Sequence, residues 1–438
     1  MFRTLRDALK IKDIRKGLLF TFFMLIVVRL GSQLPVPGVS PDVFKQLFSG
    51  VGDAMNFFDA VTGGSFEQMS VFALNITPYI TASIIMQLLT IAIPKLEELQ
   101  RDGEDGRKKI NKITRFVTVG LSLLESGAMA VSFSRGGYLE EGNKVLTIIL
   151  LMAVLTGGSA VLMWIGEQIT EHGVGNGISI VLIINIISRI PADLATLYEQ
   201  FMSGKTIPKQ VLTGVVIAAI IIAVVVLVVV LQCAERKIPV QYSQKLQGRR
   251  QVGGNSTYIP LKVNTGGVIP VIFAQSIMQT PVIIATLLGK NQGTGIGYDI
   301  LYGLSQSRWF NPTNWKYTIG AVVYVLLIIA FAFFYTTISF NPLEIADNLK
   351  KRGGFIPGIR PGTPTSDYLT SVLNRIVLIG AIGLSFVSII PIFFNGVFGA
   401  DVSFGGTSII IIVGVIVETL KQIESQMLVR NYKGFLSE

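Results

Sequence analysis

The amino-acid sequence predicts an all-α membrane protein of ten transmembrane helices, and three observations carry that reading. Half of the 438 residues are hydrophobic and only 15% are charged, whereas a soluble domain carries about a quarter charged residues. The apolar residues also fall in runs of crossing length. Val211 to Leu231 is 21 residues without a charge, and a helix needs about 20 to traverse the hydrocarbon. Apolar segments of this kind recur ten times, over residues 18–34, 76–93, 116–133, 146–165, 177–196, 211–232, 266–288, 317–338, 372–394 and 407–428.

The first segment follows a basic stretch, so Leu18 to Val28 superficially resembles the core of a signal peptide. Leu34-Pro35-Val36-Pro37 comes next, with no small-x-small cleavage pattern, and the segment reads as an uncleaved first span. The lone cysteine, Cys233, excludes an intrachain disulfide and a cysteine-built metal site.

An even number of spans puts both termini on one side, and short cytoplasmic loops hold the excess of Lys and Arg. The N-terminal tail carries Arg3, Arg6, Lys10, Lys12, Arg15 and Lys16. Lys95, Arg101, Arg107, Lys108, Lys109, Lys112 and Arg115 fill the loop at 94–115. Most of the 37 basic residues lie on that side, which makes the termini cytoplasmic and turns the net charge of +10 mainly into a topology signal. Orientation alone does not account for two loops of about 30 residues, 233–265 and 339–371, where most connections are a handful. Basic cytoplasmic loops of this size are better read as docking surfaces for a large partner. In the first, Lys237 to Tyr242 and Thr257 to Val263 are β-leaning runs flanking Gly253-Gly254-Asn255, the pattern of a hairpin.

Catalytic residues are not expected. The single histidine, His172, lies in a tight Gly-rich turn and cannot make an H-E-x-x-H site. No G-x-S-x-G elbow is present. Gly204-Lys205-Thr206 resembles the end of a phosphate loop, but Glu199 stands where its first glycine belongs and Pro208 where the helix should run. Glu125 and Glu418 lie within spans without an obvious basic partner, and they read as bundle-facing or near-interface residues rather than ion-coupling sites. No metal site or cofactor is expected, nor sequence-specific nucleic acid as a partner.

Two polar breaks mark a pathway. Thr62-Gly63-Gly64-Ser65 precedes the apolar stretch Phe66 to Leu74, which is too short to cross, before Asn75-Ile76-Thr77-Pro78 opens the second span. A half-helix that enters from the outside and turns back fits this pattern, because irregular backbone at membrane depth needs protein or water around it; a surface amphipathic helix is the other reading. Thr265-Gly266-Gly267 and Pro270 open the seventh span, the counterpart of the second. Gly/Pro interruptions at matching positions of two halves are the mark of an inverted repeat around a central pathway. Ile80 and Ile84 share one face of the second span, and an isoleucine face at a pathway can seal by size and dewetting.

The stretches GGSFEQMSVFALNITPYITASII (63–85), GVGNGISI (173–180), ERKIPVQY (235–242) and TYIPLKVNTGGVIPVIFAQSI (257–277), with NPLEIADNLKKRGGFIPGIRPG (341–362) and FGGTSIIIIVGV (404–415), resemble the SecY family of channel subunits of the bacterial Sec protein translocon. That resemblance implies two inverted five-span halves, 18–196 and 197–428, around an hourglass pore. A cytoplasmic segment 1–17 and tail 429–438 flank them. It implies a short re-entrant plug helix near 62–74, with Gly63, Gly64, Ser65, Phe66, Met69, Phe72 and Asn75. The family's aliphatic pore ring falls on Ile80, Ile84, Leu182, Ile272 and Ile411, Leu182 replacing the commoner isoleucine. Docking of the SecA ATPase or the ribosome falls on Arg249, Arg250, Lys351, Arg352 and Arg360. SecE and SecG are implied as small partner subunits, and signal peptides and precursor polypeptides as clients. Passage of unfolded polypeptide across the bacterial plasma membrane, with sideways release of hydrophobic segments into lipid, is the function implied. A secondary transporter of a small solute is the rival reading.

Overall fold

In the computed structural model the described residues are 6, 9–39, 62–66, 68–136, 139, 144–203, 207–242, 245–247, 250–252, 256–287, 296–306, 309–310, 315–398 and 406–434. Helices coincide with all ten apolar segments. They are α1 (Lys12–Gly31), α2 (Thr77–Ala92), α4 (Glu104–Gly136), α5 (Lys144–His172), α6 (Gly177–Phe201), α7 (Ile207–Cys233), α8 (Ile269–Leu287), α10 (Ile319–Ser339), α12 (Thr363–Phe398) and α13 (Gly406–Gly434). Shorter helices complete the set: α3 (Pro94–Arg101), α9 (Ile296–Leu304) and α11 (Pro342–Lys351). By length and composition, six of the described helices can cross a membrane on their own.

Several helices run past the lipid. The basic stretch at 94–115, expected as a loop, is largely helical, through α3 and the first turns of α4. Its corner has a local cause. Pro94 disfavours the helical region for Ile93, which sits at φ −113° and ψ 110°, and the chain bends by 106° between α2 and α3. His172 is the last residue of α5 rather than part of the turn, its ring 5.9 Å from that of Phe20.

Inside lipid no water is available to side-chain hydroxyls, so they turn back onto the carbonyl one helical turn earlier. Thr21 donates to Gly17, Thr118 to Thr114, Thr336 to Ala332 and Ser385 to Ala381, at 2.7–3.0 Å. Pro191, Pro281 and Pro391 lie inside α6, α8 and α12, which spanning helices tolerate because neighbouring groups meet the freed carbonyls. Helix association cannot draw on the hydrophobic effect in lipid and relies on close backbone approach. Gly320 of α10 shows such an approach, since any side chain there would overlap the Gly303 carbonyl oxygen of α9.

The chain divides into two compact units, one of residues 1–196, 282–298 and 418–438, the other of 197–281 and 299–417. In the first, α4 packs on α2 and α5, and α1 on α5. Its core gathers Val36, Met69, Leu74, Phe133, Leu151 and Leu155 in one cluster and Val28, Phe72, Ile76, Leu162, Ile165 and Val181 in another. In the second, α12 packs on α7, α10 and α11, around Val228, Val271, Met278, Tyr324, Ile328 and Leu384.

Candidate functional site

The break before the second span is the most irregular buried backbone described in the first unit. Residues 63–66, 68–69 and 71–76 are turns, Ser70 is a bridge residue, and only Thr62 before them is helical. The half-helix expected over Phe66 to Leu74 is therefore absent from the described residues. The reason lies in the backbone. Gly63, Gly64, Met69 and Asn75 all take positive φ, at 69°, 84°, 47° and 51°, and one such residue already breaks a right-handed helix. Asn adopts this conformation readily; for Met it is uncommon.

Partners outside the stretch hold it in place. Val36 N–H donates to the Met69 carbonyl and Val71 N–H to the Leu34 carbonyl, both at 2.9 Å, an antiparallel bridge of Pro35 and Ser70. Within it, Ser70 N–H reaches the Ser65 carbonyl and Asn75 N–H the Phe72 carbonyl, each at 2.9 Å. Ser65, Phe66, Met69, Phe72 and Asn75 are all buried, Gly63 is buried and Gly64 half-buried. Two glycines make the seat. Side chains at Gly31 of α1 and Gly158 of α5 would overlap the Phe72 ring and the Val71 carbonyl oxygen. The Asn185 amide of α6 donates to Asn75 Oδ1 at 3.1 Å. Sequence reasoning missed Asn185, though an asparagine inside the apolar run of α6 was the available signal.

Of the expected ring residues, Ile80, Ile84 and Leu182 belong to the first unit, and Ile272 and Ile411 to the second. Ile80 and Ile84 are half-buried on α2, Leu182 is buried on α6, Ile272 is half-buried on α8 and Ile411 buried on α13. Ile80 packs against the cluster that contains Val181, Ile165 and Phe72.

The first large loop folds as the expected hairpin. β1 (Glu235–Tyr242) pairs antiparallel with β4 (Ser256–Lys262), Ile238 opposite Ile259. A small pair, β2 (Lys245–Gln247) with β3 (Arg250–Val252), lies between them. The second large loop was not expected to join this sheet, yet β5 (Gly354–Phe355) pairs with β1, Gln241 opposite Phe355 and Tyr242 opposite Gly354. The strand order is β4-β1-β5. Beneath the sheet Ile238, Val240 and Leu261 pack with Leu349, Ile356, Leu369 and Ile376. A two-residue strand carries no sequence pattern that could have announced it. Lys351, Arg352 and Arg360 are exposed beside it. Arg250 is on β3; Arg249 lies outside the described residues.

Many helices long and apolar enough to cross a membrane, with buried irregular backbone and a platform built from two loops, define a multi-pass helical membrane protein. Comparison with known proteins gives the family. The SecY family model matches residues 70–420, and protein translocase subunit SecY of Bacillus subtilis (strain 168) is 44% identical over 445 residues, covering the whole of both chains. The chain belongs to the SecY family, and it is a protein-conducting channel. Two solved structures share the fold. One concerns the plug domain of the SecY protein stabilizing the closed state of the translocation channel and maintaining a membrane seal (TM-score 0.60, 19% identity, 95% of this chain and 93% of that one). The other is Sec61 in the canine ribosome–channel complex from the endoplasmic reticulum (TM-score 0.61, 18% identity, 95% and 93%). The rival reading, a transporter of small solutes, finds no support among these relatives.

Proposed function

We propose that the chain conducts unfolded precursor polypeptides across the bacterial plasma membrane, with both termini cytoplasmic. Residues 62–74 are the plug, and Ile80, Ile84, Leu182, Ile272 and Ile411 form the constriction. The observation that carries the plug assignment is the largely buried run of turns at 63–66 and 68–76, hydrogen-bonded to 34–36 after the first helix. The likeness to a solved structure concerned with a SecY plug and its membrane seal supports it. An apolar constriction offers no group to hydrate an ion and yields to a passing chain. Hydrophobic segments leave sideways because lipid solvates them at about 25 cal/mol per Å2 better than water does.

The chain itself supplies no catalytic step in this reading; the SecA ATPase or the translating ribosome drives transport, and SecE and SecG complete the complex. Exposed Lys351, Arg352 and Arg360, set beside a sheet that makes the two loops one body, support docking there of a partner with acidic patches. The canine channel's ribosome complex points the same way. The test is transport into proteoliposomes holding the chain and its small subunits, with SecA, ATP and a signal-bearing precursor outside. Protease-protected, ATP-dependent precursor inside is the expected result. An intact complex that binds SecA and admits none refutes the proposal.

A further inference from the structure

We propose that Asn185 and Arg29 are positioning residues that latch residues 63–75 in the resting place, a step that rests on the plug reading above. Both ends of this stretch come to one side of α6. At its start the Gly63 carbonyl accepts from Arg29 Nη1 of α1 at 3.4 Å. At its end Asn75 Oδ1 accepts from Asn185 Nδ2 at 3.1 Å. Gly63 is also pressed against Asn185 itself: a Cβ there would lie 2.5 Å from the Asn185 carbonyl oxygen, and its φ of +69° suits glycine alone. One residue of α6 thus supports the first backbone of the stretch and bonds the last side chain.

Apart from the backbone pairing with 34–36, the side-chain contacts around the stretch are mainly apolar. Such contacts are non-directional and tolerate sliding; a buried amide pair does not. Asn75 and Asn185 are 1% and 3% exposed, so parting them breaks a hydrogen bond in a buried place where water does not stand ready to replace it. The latch is also weak enough to release. Asn185 Oδ1 has no partner among the described residues, so the side chain contributes one bond and not two. Ser188 Oγ approaches the Gly63 carbonyl at 3.4 Å but lies 2.6 Å from the Asn185 carbonyl, which makes it a donor to its own helix first. Turning both amides over together exchanges donor and acceptor and keeps the single bond.

The experiment uses the reconstituted complex with Cys233→Ser, and a reporter cysteine either at Met69, which is 1% exposed, or at Leu155, which is 0% exposed and serves as a packing control. Labelling by a membrane-impermeant maleimide on both faces is measured together with resting ion conductance. Asn185→Leu should speed labelling at residue 69 by roughly 3- to 20-fold, the range one interhelical hydrogen bond in lipid carries. Arg29→Met should do so independently of packing at Asn185. The control position should stay protected and conductance should rise. Unchanged labelling at residue 69 in both variants overturns the latch. Faster labelling at both reporter positions overturns it too, since the effect is then general loosening. Faster labelling at residue 69 alone, with unchanged conductance, keeps the latch and overturns the plug reading instead.

Discussion

At the scale of single residues, the seat of the turn run depends on a missing side chain more than on any present one. Gly158 of α5 touches the Val71 backbone, so Gly158→Leu must displace either the helix or the run. Overpacking of this kind costs about 1–3 kcal/mol, and a lowered melting temperature of the solubilised complex should report it. Charge acts at this scale too. Asp299 of α9 accepts from Lys316 Nζ at 3.2 Å and from the Tyr317 hydroxyl at 3.0 Å. These bonds, Lys316 first, hold the carboxyl below its ordinary value. Tyr317 and then Asp299 hold the Lys316 ammonium above its own. A lowered carboxyl pKa stabilises the folded form above the ordinary carboxylate range, and that contribution is lost as pH falls through the lowered value. A raised ammonium pKa stabilises below the ordinary lysine range, and that contribution is lost as pH rises through the raised value. The link should therefore persist through neutral pH and fail at both extremes, by a small amount because both groups are in solvent. Titration of a labelled Asp299 carboxyl that showed an ordinary midpoint would refute this.

At the scale of elements, the sheet shows how two loops far apart in the chain become one platform. Pro239 lies opposite Tyr258 and Pro260 opposite Lys237. A proline has no N–H for the ladder, and Pro260 on the edge strand β4 also denies an approaching strand one of its donors. The opposite side of β1 is taken by β5, and the shared apolar layer under Ile238 and Val240 runs into α11 and α12. Phe355→Pro should break that pairing at a cost of about 0.5–1.5 kcal/mol for each lost bond. Limited proteolysis should then cut the 339–371 loop several-fold faster while the spans stay protected. Equal cutting rates would mean that the side-chain layer alone holds the loops together.

At the scale of the whole molecule, the predictions concern what the channel lets through. Ile84→Ser places a hydroxyl in the proposed constriction and should raise resting ion leak; an unchanged conductance in a planar bilayer would remove Ile84 from the ring. Arg360 is exposed, so Arg360→Glu should leave the fold intact. It should weaken SecA-driven transport while membrane insertion continues, and loss of the folded protein would make Arg360 structural instead.

Much of this architecture was legible in the chain because the bilayer is an undemanding reader. It asks for about 20 apolar residues per crossing and for basic residues on one side, both properties of composition. Val211 to Leu231 satisfies the first so fully that no tertiary contact could make it anything but a span. The β1–β4 hairpin was legible for a similar reason, because the alternation of its strands and the Gly253-Gly254-Asn255 signal between them are local features of the sequence. The stretch from Phe66 to Leu74 was not. Its residues suit a short helix, and what makes it a run of turns is pairing with 34–36, the hollow left by Gly31 and Gly158, and the amide of Asn185. Nine residues are too few to stabilise a helix by themselves, so distant partners chose the conformation of the described ones. The third strand at Gly354–Phe355 followed the same rule, two residues whose structure belongs to the strand beside them. Sequence alone marked which segments become the long apolar helices, since that is set by each segment's own transfer into lipid. Only the tertiary structure decided how the short segments between the spans are held, since their backbone hydrogen bonds are completed by residues far away along the chain.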